Sequence, residues 1–322
     1  MEAPSPDLPV IVVGAGIAGV ACSRALQAAD VPVRLIDRGR RLGGRMASRR
    51  LEGRPVDMGA SYFTVSDPRF AAVVEDWRAR GVAREWTDTF TVLEPGSAPT
   101  TKTGPMRWSS PTGLRSVVED LAAPLEVEQA AVEQVTLAPD GTLSVDDRPA
   151  SAVVLAMTDS QARTLLGAGL EADAGVLTRA SEPVIATVAW WAERLWDLDG
   201  AFVNGDPDLA WIADDGARRG DGAPCLVAHS TPELAQPHLA DPQQAGPPMV
   251  AALRRLLDLP EPAGTYVHRW SQARPIGERE APFHLSEAGL GVCGDGWGPV
   301  SKVEGAWLSG TALGEAIAAR HA

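Results

Sequence analysis

The stretch PVIVVGAGIAGVACSRALQAADVPVRLIDRG, residues 9–39, constrains the fold more than any other part of the chain. Residues 10–13 are β-branched throughout, the mark of a strand buried on both faces, and Gly14, Gly16 and Gly19 follow at once. Helical spacing then takes over with Ile17, Val20, Ala21, Ala25, Leu26 and Ala28, and a second strand over 33–36 ends on Asp37. Strand, glycine turn, helix, strand and acid together form the dinucleotide-binding unit. Gly14 permits the tight turn, Gly16 lets backbone amides approach a pyrophosphate, and Gly19 lets the helix lie close on the strand. The helix N-terminus at Ile17 and Ala18 offers its positive end to phosphate. Asp37 is spaced to accept hydrogen bonds from a ribose.

The chain has 322 residues, enough for two domains, and a formal net charge of -13. That charge argues against a phosphate-tracking nucleic-acid surface and against attraction to anionic lipid. Cys22, Cys225 and Cys293 are odd in number, far apart and without a CxxC pair, so neither a disulfide framework nor a zinc site is supported. The five histidines are not spaced as metal ligands, and no metal is expected. The opening MEAPSPDLP is acidic where a secretion signal is basic, and the apolar run after it is broken by glycines. The expectation is a cytoplasmic protein with no membrane span.

Two further segments narrow the cofactor. After Asp37 comes RGRRLGGRMASRR, residues 38–50, where Gly43 and Gly44 precede Arg45 behind the basic Arg38. A solvated arginine-rich loop explains the charges but not the paired glycines. Near the C-terminus, GDGWGPVSKVEGAWLSG, residues 294–310, follows an apolar strand over 290–293 and precedes an alanine-rich helix, repeating the strand-turn-helix order of the opening.

The GGR after the acid, DMGASYF at 57–63, and the late GD with VEGAWLSG resemble FAD-dependent amine-oxidase-like flavoproteins. More narrowly, the length, DMGASYFTVSDPRF at 57–70 and HRWSQARP at 268–275 resemble the renalases, particularly bacterial ones. The resemblance runs over nearly the whole chain and is strongest at its two ends. It implies an α/β fold: a discontinuous Rossmann-type FAD-binding domain over 1–75, 112–168 and 285–322, and a mixed α+β substrate domain over 76–111 and 169–284. A helix over 68–80, another over 113–122, strands near 125–127, 131–137 and 142–145, and a strand then helix opening near Thr158 fit that division.

For the cofactor, the resemblance implies FAD held by Gly14, Gly16, Ile17, Ala18, Gly19, Asp37, Arg38, Gly43, Gly44, Arg45, Met58, Gly59, Ala60, Val132, Gly294 and Asp295; Cys293 sits inside a strand pattern before Gly294, so the FAD is expected to be non-covalent. The helix N-terminus at Lys302, Val303 and Glu304 would point at the flavin's pyrimidine edge and stabilise negative charge on the reduced ring. Flavin amine oxidases hold one lysine through water near flavin N5. Of the only two lysines, Lys102 and Lys302, the latter lies in the cofactor segment.

Ten tryptophans against two tyrosines raise the question of an aromatic substrate wall. Trp77, Trp86, Trp196 and Trp307 read as core. Trp190, Trp191, Trp211, Trp270 and Trp297 are the cavity candidates. HRWSQARP brings His268, Arg269, Trp270 and Arg274 into one strand, either as two cations and an aromatic face for an anionic planar substrate or as a strand with one exposed side; periodicity does not separate the two. His268, Trp270 and Lys302 are the catalytic candidates.

No acid-base pair stands out, which suits oxidation of a dihydropyridine, where no side chain must first remove a proton. The renalase resemblance implies hydride transfer from 2- or 6-dihydro isomers of NADH or NADPH to flavin N5, with dioxygen as the final acceptor and hydrogen peroxide as product. An FAD-dependent amine oxidase is the alternative, and a non-catalytic dinucleotide-binding redox module the second; the sequence does not give the oligomeric state.

Overall fold

The structure, a computed structural model, describes residues 8–322. The reading of the first seven residues as lacking a secretion signal lies outside the described residues. The chain forms two compact units, the first from Met1–Gly44, Val118–Ser181 and Arg274–Ala322 and the second from Arg45–Val117 and Glu182–Ala273. These borders differ from the expected ones. Residues 45–75 and 112–117 join the second unit, and 169–181 and 274–284 the first. The reason is long-range pairing: Asp57 is bonded by Arg219, and Asp173 pairs with His284 at 2.7 Å.

In the first unit a six-stranded sheet runs in the order 284–285, 290–292, 152–155, 10–13, 33–37 and 127–129. All neighbours are parallel except the short edge strand His284–Leu285. Its central strands Val10–Val13 and Ala152–Leu155 are buried at every residue, as an apolar run without alternation requires when both faces are covered. Ile11, Val13, Val153, Leu155, Leu290 and Val292 pack with a three-stranded sheet carrying Val135, Leu143 and Val145. Helices Ile17–Ala28 and Val303–His321 lie against each other. The expected strand over 131–137 forms only at Val135–Leu137. Val132 lies in the loop before it, half-buried against this core.

The two helices meet through glycine. A Cβ on Gly310 would collide with the Ala18 carbonyl oxygen, and one on Gly314 would come within 2.6 Å of the Cys22 carbonyl oxygen. Close backbone approach is thus the task of the C-terminal glycines that precede and enter the helix.

The second unit is built on a seven-stranded sheet in the order 264–275, 181–190, 225–230, 209–214, 200–203, 84–93 and 100–109. Side chains alternate across it. Ile185, Ala189, Ile212, Leu226 and Ala228 meet Met249, Ala252 and Leu253 of helix Gly246–Leu257 on one face. Ala186, Val188, Cys225 and Val227 meet Val56 and Met58 on the other. Val56 comes from the hairpin of Ser48–Leu51 and Arg54–Asp57.

Among the described residues no helix is long and apolar enough to cross a membrane, and no group of three or more His, Cys, Asp or Glu is placed to hold a metal ion. Gly310→Ala is expected to lower unfolding free energy by roughly 2 kcal/mol, the scale of overpacking a closed contact, measured by urea unfolding; Gly16→Ala, whose Cβ meets nothing within 4 Å, is expected to leave it within about 1 kcal/mol.

Candidate functional site

The glycine turn of the first unit is closed by its own acid. Asp37 Oδ2 accepts from the Ala15 amide at 2.6 Å and Oδ1 from the Gly39 amide at 2.6 Å. The carboxylate is thereby locked at the carboxyl edge of the sheet, with lone pairs left for further donors. Gly14 adopts φ +106°, and a Cβ there would press within 2.7 Å of the Ala156 carbonyl oxygen. Gly19 is tighter still, since a Cβ would overlap the Gly14 carbonyl oxygen. Helix Ile17–Ala28 starts with no side-chain cap and no acid in its first turn, so its N-terminal field faces outward uncompensated. Gly43 and Gly44 both take positive φ, and the Gly43 amide bonds the Ala15 carbonyl at 3.0 Å. The paired glycines therefore fold back onto the turn. Arg38 is exposed beside it. The loop holding Val132 leaves the strand whose Gln129 pairs in register with Asp37.

The C-terminal segment belongs to the same unit. Gly294 takes φ +146°, and its amide donates to Ser309 Oγ at 3.1 Å. Ser301 donates to Asp295 at 2.6 Å. Lys302 caps helix Val303–His321 by backbone alone, with its side chain exposed, while Glu304 in the first turn is buried. Trp297, expected at the cavity, is corrected to a packed side chain. It is 3% exposed, with the Arg279 guanidinium 3.8 Å over its ring and His284 stacked at 6.1 Å. Arg279 is tied in turn to Asp159 at 2.7 Å.

In the second unit, the peptide around Met58 is held from several sides. The Met58 carbonyl accepts from Trp270 Nε1 at 2.9 Å and lies 3.0 Å from His229 Nε2, which must carry its proton there to donate. The Asp57 carbonyl accepts from Arg218 at 2.6 Å, and the Ala60 amide donates to the Arg45 carbonyl at 3.0 Å. Arg45 itself reaches the Ala273 carbonyl at 3.3 Å. Gly59 has no room for a side chain, because a Cβ would overlap the Arg45 carbonyl.

Under this segment lies a buried ionic network that the sequence reading missed. Asp215 accepts from Arg218 and Arg219 on its own helix and from Arg54 at 2.6 Å, and Arg219 reaches Asp57 at 2.9 Å. Burial works to raise the Asp215 carboxyl, but Arg218, Arg219 and Arg54 outweigh it and hold it well below the usual carboxylate range. Burial likewise works to lower Arg219, and Asp57 and Asp215 outweigh it upward. The signal was present as DDGARRG, which places acid and bases three and four residues apart on one helical face.

Strand alternation divides HRWSQARP. Tyr266, His268 and Trp270 share one face, with the His268 and Trp270 rings edge to face at 4.6 Å. Arg269 points the other way and donates to the Leu239 carbonyl, so its expected pairing with the Trp270 face is corrected. Arg274 is exposed in the first unit. Arg49, from the hairpin, instead stacks its guanidinium 4.8 Å over Tyr266. Burial, then Arg49 and Arg269, push the His268 pKa down, which keeps the imidazole neutral at pH 7. Trp190 is half-buried against the same cluster as Trp270, and its indole fills the space next to Gly264. Trp211 is corrected to core: it is buried against Phe90 at 4.8 Å and bonds Ser61 Oγ at 3.0 Å. Trp191 is also core, bonded to the Pro260 carbonyl. Lys102 is exposed on strand Thr100–Ser109.

Residues 12–77 match the family model of the NAD(P)-binding Rossmann-like domain. A polyamine oxidase 5 from Oryza sativa subsp. japonica is 49% identical over 53 residues, 16% of this chain and 11% of that protein. A hydroxyneurosporene desaturase from Rubrivivax gelatinosus is 44% identical over 66 residues, 20% of this chain and 13% of that protein. The chain thus matches little more than a tenth of the length of these curated relatives. Solved structures match throughout: a redesigned putrescine oxidase at TM-score 0.75 and 15% identity, covering 97% of this chain and 99% of the other, and cyclohexylamine oxidase from Brevibacterium oxydans at 0.76 and 13%, covering 98% and 99%. At such identity the likeness is one of fold, and the fold is the mixed α/β architecture of these amine oxidases.

Asp215→Asn is expected to cost about 3–5 kcal/mol at pH 7, because it leaves buried arginines uncompensated. The Asp215 carboxyl is depressed in the fold, so its contribution is fully present above the unfolded value near 4 and is lost as pH falls through the acid range. The gap between wild type and variant, followed by urea unfolding, should therefore narrow below about pH 4.

Proposed function

We propose that the chain is an FAD-dependent oxidoreductase. The observation that carries this reading is the turn of Gly14, Gly16 and Gly19, pinned by Asp37 and opening on an uncapped helix N-terminus. The donor set fits a dinucleotide: a Cβ at Gly16 would meet only open space, and Gly14 and Gly44 supply positive φ where the backbone turns. In the first unit Gly14, Gly16, Ile17, Ala18 and Gly19 would hold the diphosphate, Asp37 and Arg38 the adenosine end, and Gly43, Gly44, Val132, Gly294 and Asp295 the remaining chain. The first turn of helix Val303–His321, from Lys302 through Glu304, would offer its free backbone amides to an electron-rich ring edge. In the second unit Arg45 and Met58, Gly59 and Ala60 form a rigid peptide shelf held by Trp270, His229 and Arg218.

A flavin held there would supply two-electron redox chemistry, with dioxygen as the final acceptor and hydrogen peroxide as product. The chain's part is to bind, orient and exclude water. Non-covalent attachment is supported by the cysteines: burial pushes Cys225 and Cys293 up to about 12, and Cys22 well above its usual value, so none is a ready thiolate nucleophile.

For the donor, the fold of putrescine and cyclohexylamine oxidases and the local polyamine oxidase match favour a small amine. A second reading, oxidation of 2- or 6-dihydro isomers of NADH or NADPH, has its own support in the basic-aromatic row of Arg49, Tyr266, His268 and Trp270, where His268 is neutral. His268 and Trp270 stay as substrate-positioning candidates, Lys302 as a cofactor-side one, and a cytoplasmic location belongs to the same proposal.

Anaerobic mixing of the purified yellow protein with each donor class tests these readings. Bleaching by primary or secondary amines alone supports the first, and bleaching by the dihydronicotinamides alone the second. A protein without flavin, or with flavin that neither class reduces, would sink both in favour of a redox-responsive binding module. Acid precipitation is expected to leave the flavin in the supernatant, and Asp37→Ala to weaken FAD retention by roughly tenfold through loss of the charge-assisted bond that closes the turn.

A further inference from the structure

We propose that Arg49 is a specificity-determining residue, recognising an anionic group on a ring-bearing ligand that lies along Tyr266, His268 and Trp270. The inference rests on the second donor reading, a dihydronicotinamide held by the second unit, and goes beyond it by assigning the charge selection to one side chain.

The geometry begins with the hairpin. Arg49 and Leu51 alternate to one side of strand Ser48–Leu51, and Leu51, Tyr266, Trp190 and Trp270 all pack against the cluster of Val56, Met58, Val188 and Val227. Ser48 turns the opposite way into the buried network and bonds Asp57. That second anchor fixes the direction in which Arg49 leaves the strand. Its guanidinium rests 4.8 Å over the Tyr266 ring with the residue itself exposed. Stacking on a ring face leaves the edge of the guanidinium and its N–H groups free for planar, paired hydrogen bonds to phosphate or carboxylate.

The electrostatics agree. Arg49 makes no ion pair among the described residues, in a chain of net charge -13, whereas Arg54, Arg218, Arg219 and Arg279 are each paired with a carboxylate. The charged groups acting on the neighbouring imidazole of His268 are Arg49 and Arg269, both cations. A carboxylate would have neutralised the row and an ammonium ligand would be repelled by it. A neutral His268 and the edge-to-face Trp270 ring, 4.6 Å away, give the ligand's ring an apolar, uncharged surface. Arg269, on the other face of the strand, adds long-range field but no contact.

The test is a tryptophan-fluorescence titration of the holoprotein with oxidised nicotinamide mononucleotide and with nicotinamide riboside, which differ by the phosphate and need no turnover. Wild type is expected to bind the mononucleotide about threefold to tenfold tighter, the range of a solvent-exposed charge-assisted contact. Raising the salt should shrink that preference. Arg49→Gln should abolish it and Arg49→Lys restore part of it, with flavin content and far-ultraviolet circular dichroism unchanged. Equal binding of both ligands by wild type, or a preference kept by Arg49→Gln, overturns the inference. A protein that purifies without flavin defeats the oxidoreductase reading instead, and the titration on that protein still reports on Arg49.

Discussion

Close backbone packing around Gly14 is the constraint on which the first unit depends. The Gly14 carbonyl touches the position a Gly19 side chain would occupy, the Gly14 Cα faces the Ala156 carbonyl, and Gly310 lies against Ala18 one turn further along. Strand Val10–Val13, strand Ala152–Leu155 and the two helices thus converge on a handful of residues without room for a methyl group. Such a contact has one solution rather than a range, since interiors are close-packed and backbone cannot yield as a side chain does. The rigidity has a chemical use: amides aimed at an anion are effective when they need no reorganisation to meet it.

The second unit solves a similar problem with charge. The hairpin and the peptide after it lie on the sheet through Asp57, Arg54 and the helix bearing Asp215, Arg218 and Arg219. Buried ion pairs are weak sources of net stability but costly to break, so such a network selects one arrangement over its alternatives. It holds the Met58 carbonyl where Trp270 and His229 both reach it. Aromatic residues that resembled a substrate wall therefore have two different tasks: Trp270 fixes backbone at the edge of the sheet, and Trp211 fills the core beneath Tyr62 and Phe90.

These two devices leave surfaces of like polarity, each within its own unit. The first ends in backbone amides and a helix N-terminus, neutral overall but polarised toward anions. The second ends in a cation on an aromatic ring beside a neutral imidazole. Both favour an anionic group, so substrate charge is the property that most sharply separates the two donor readings.

Legibility in the sequence followed the range of the interaction. The strand, turn, helix and acid over 10–37 were readable because each step depends on neighbours a few residues away: β-branching, positive φ at glycine, and 3.6-residue spacing. The C-terminal helix and the Thr158 start of helix Asp159–Leu165 were readable for the same reason. Tertiary structure alone decided the rest. Alternation says that Arg269 and Trp270 face opposite ways, but only the sheet's packing tells which face is which, and only the hairpin's long-range docking brings Arg49 to Tyr266. Trp297 read as a cavity candidate, yet the Arg279 guanidinium, tied to Asp159 far away in the chain, covers its ring. The unit borders shifted for the same cause, since contacts between residues more than a hundred positions apart leave no periodic trace in the sequence they join.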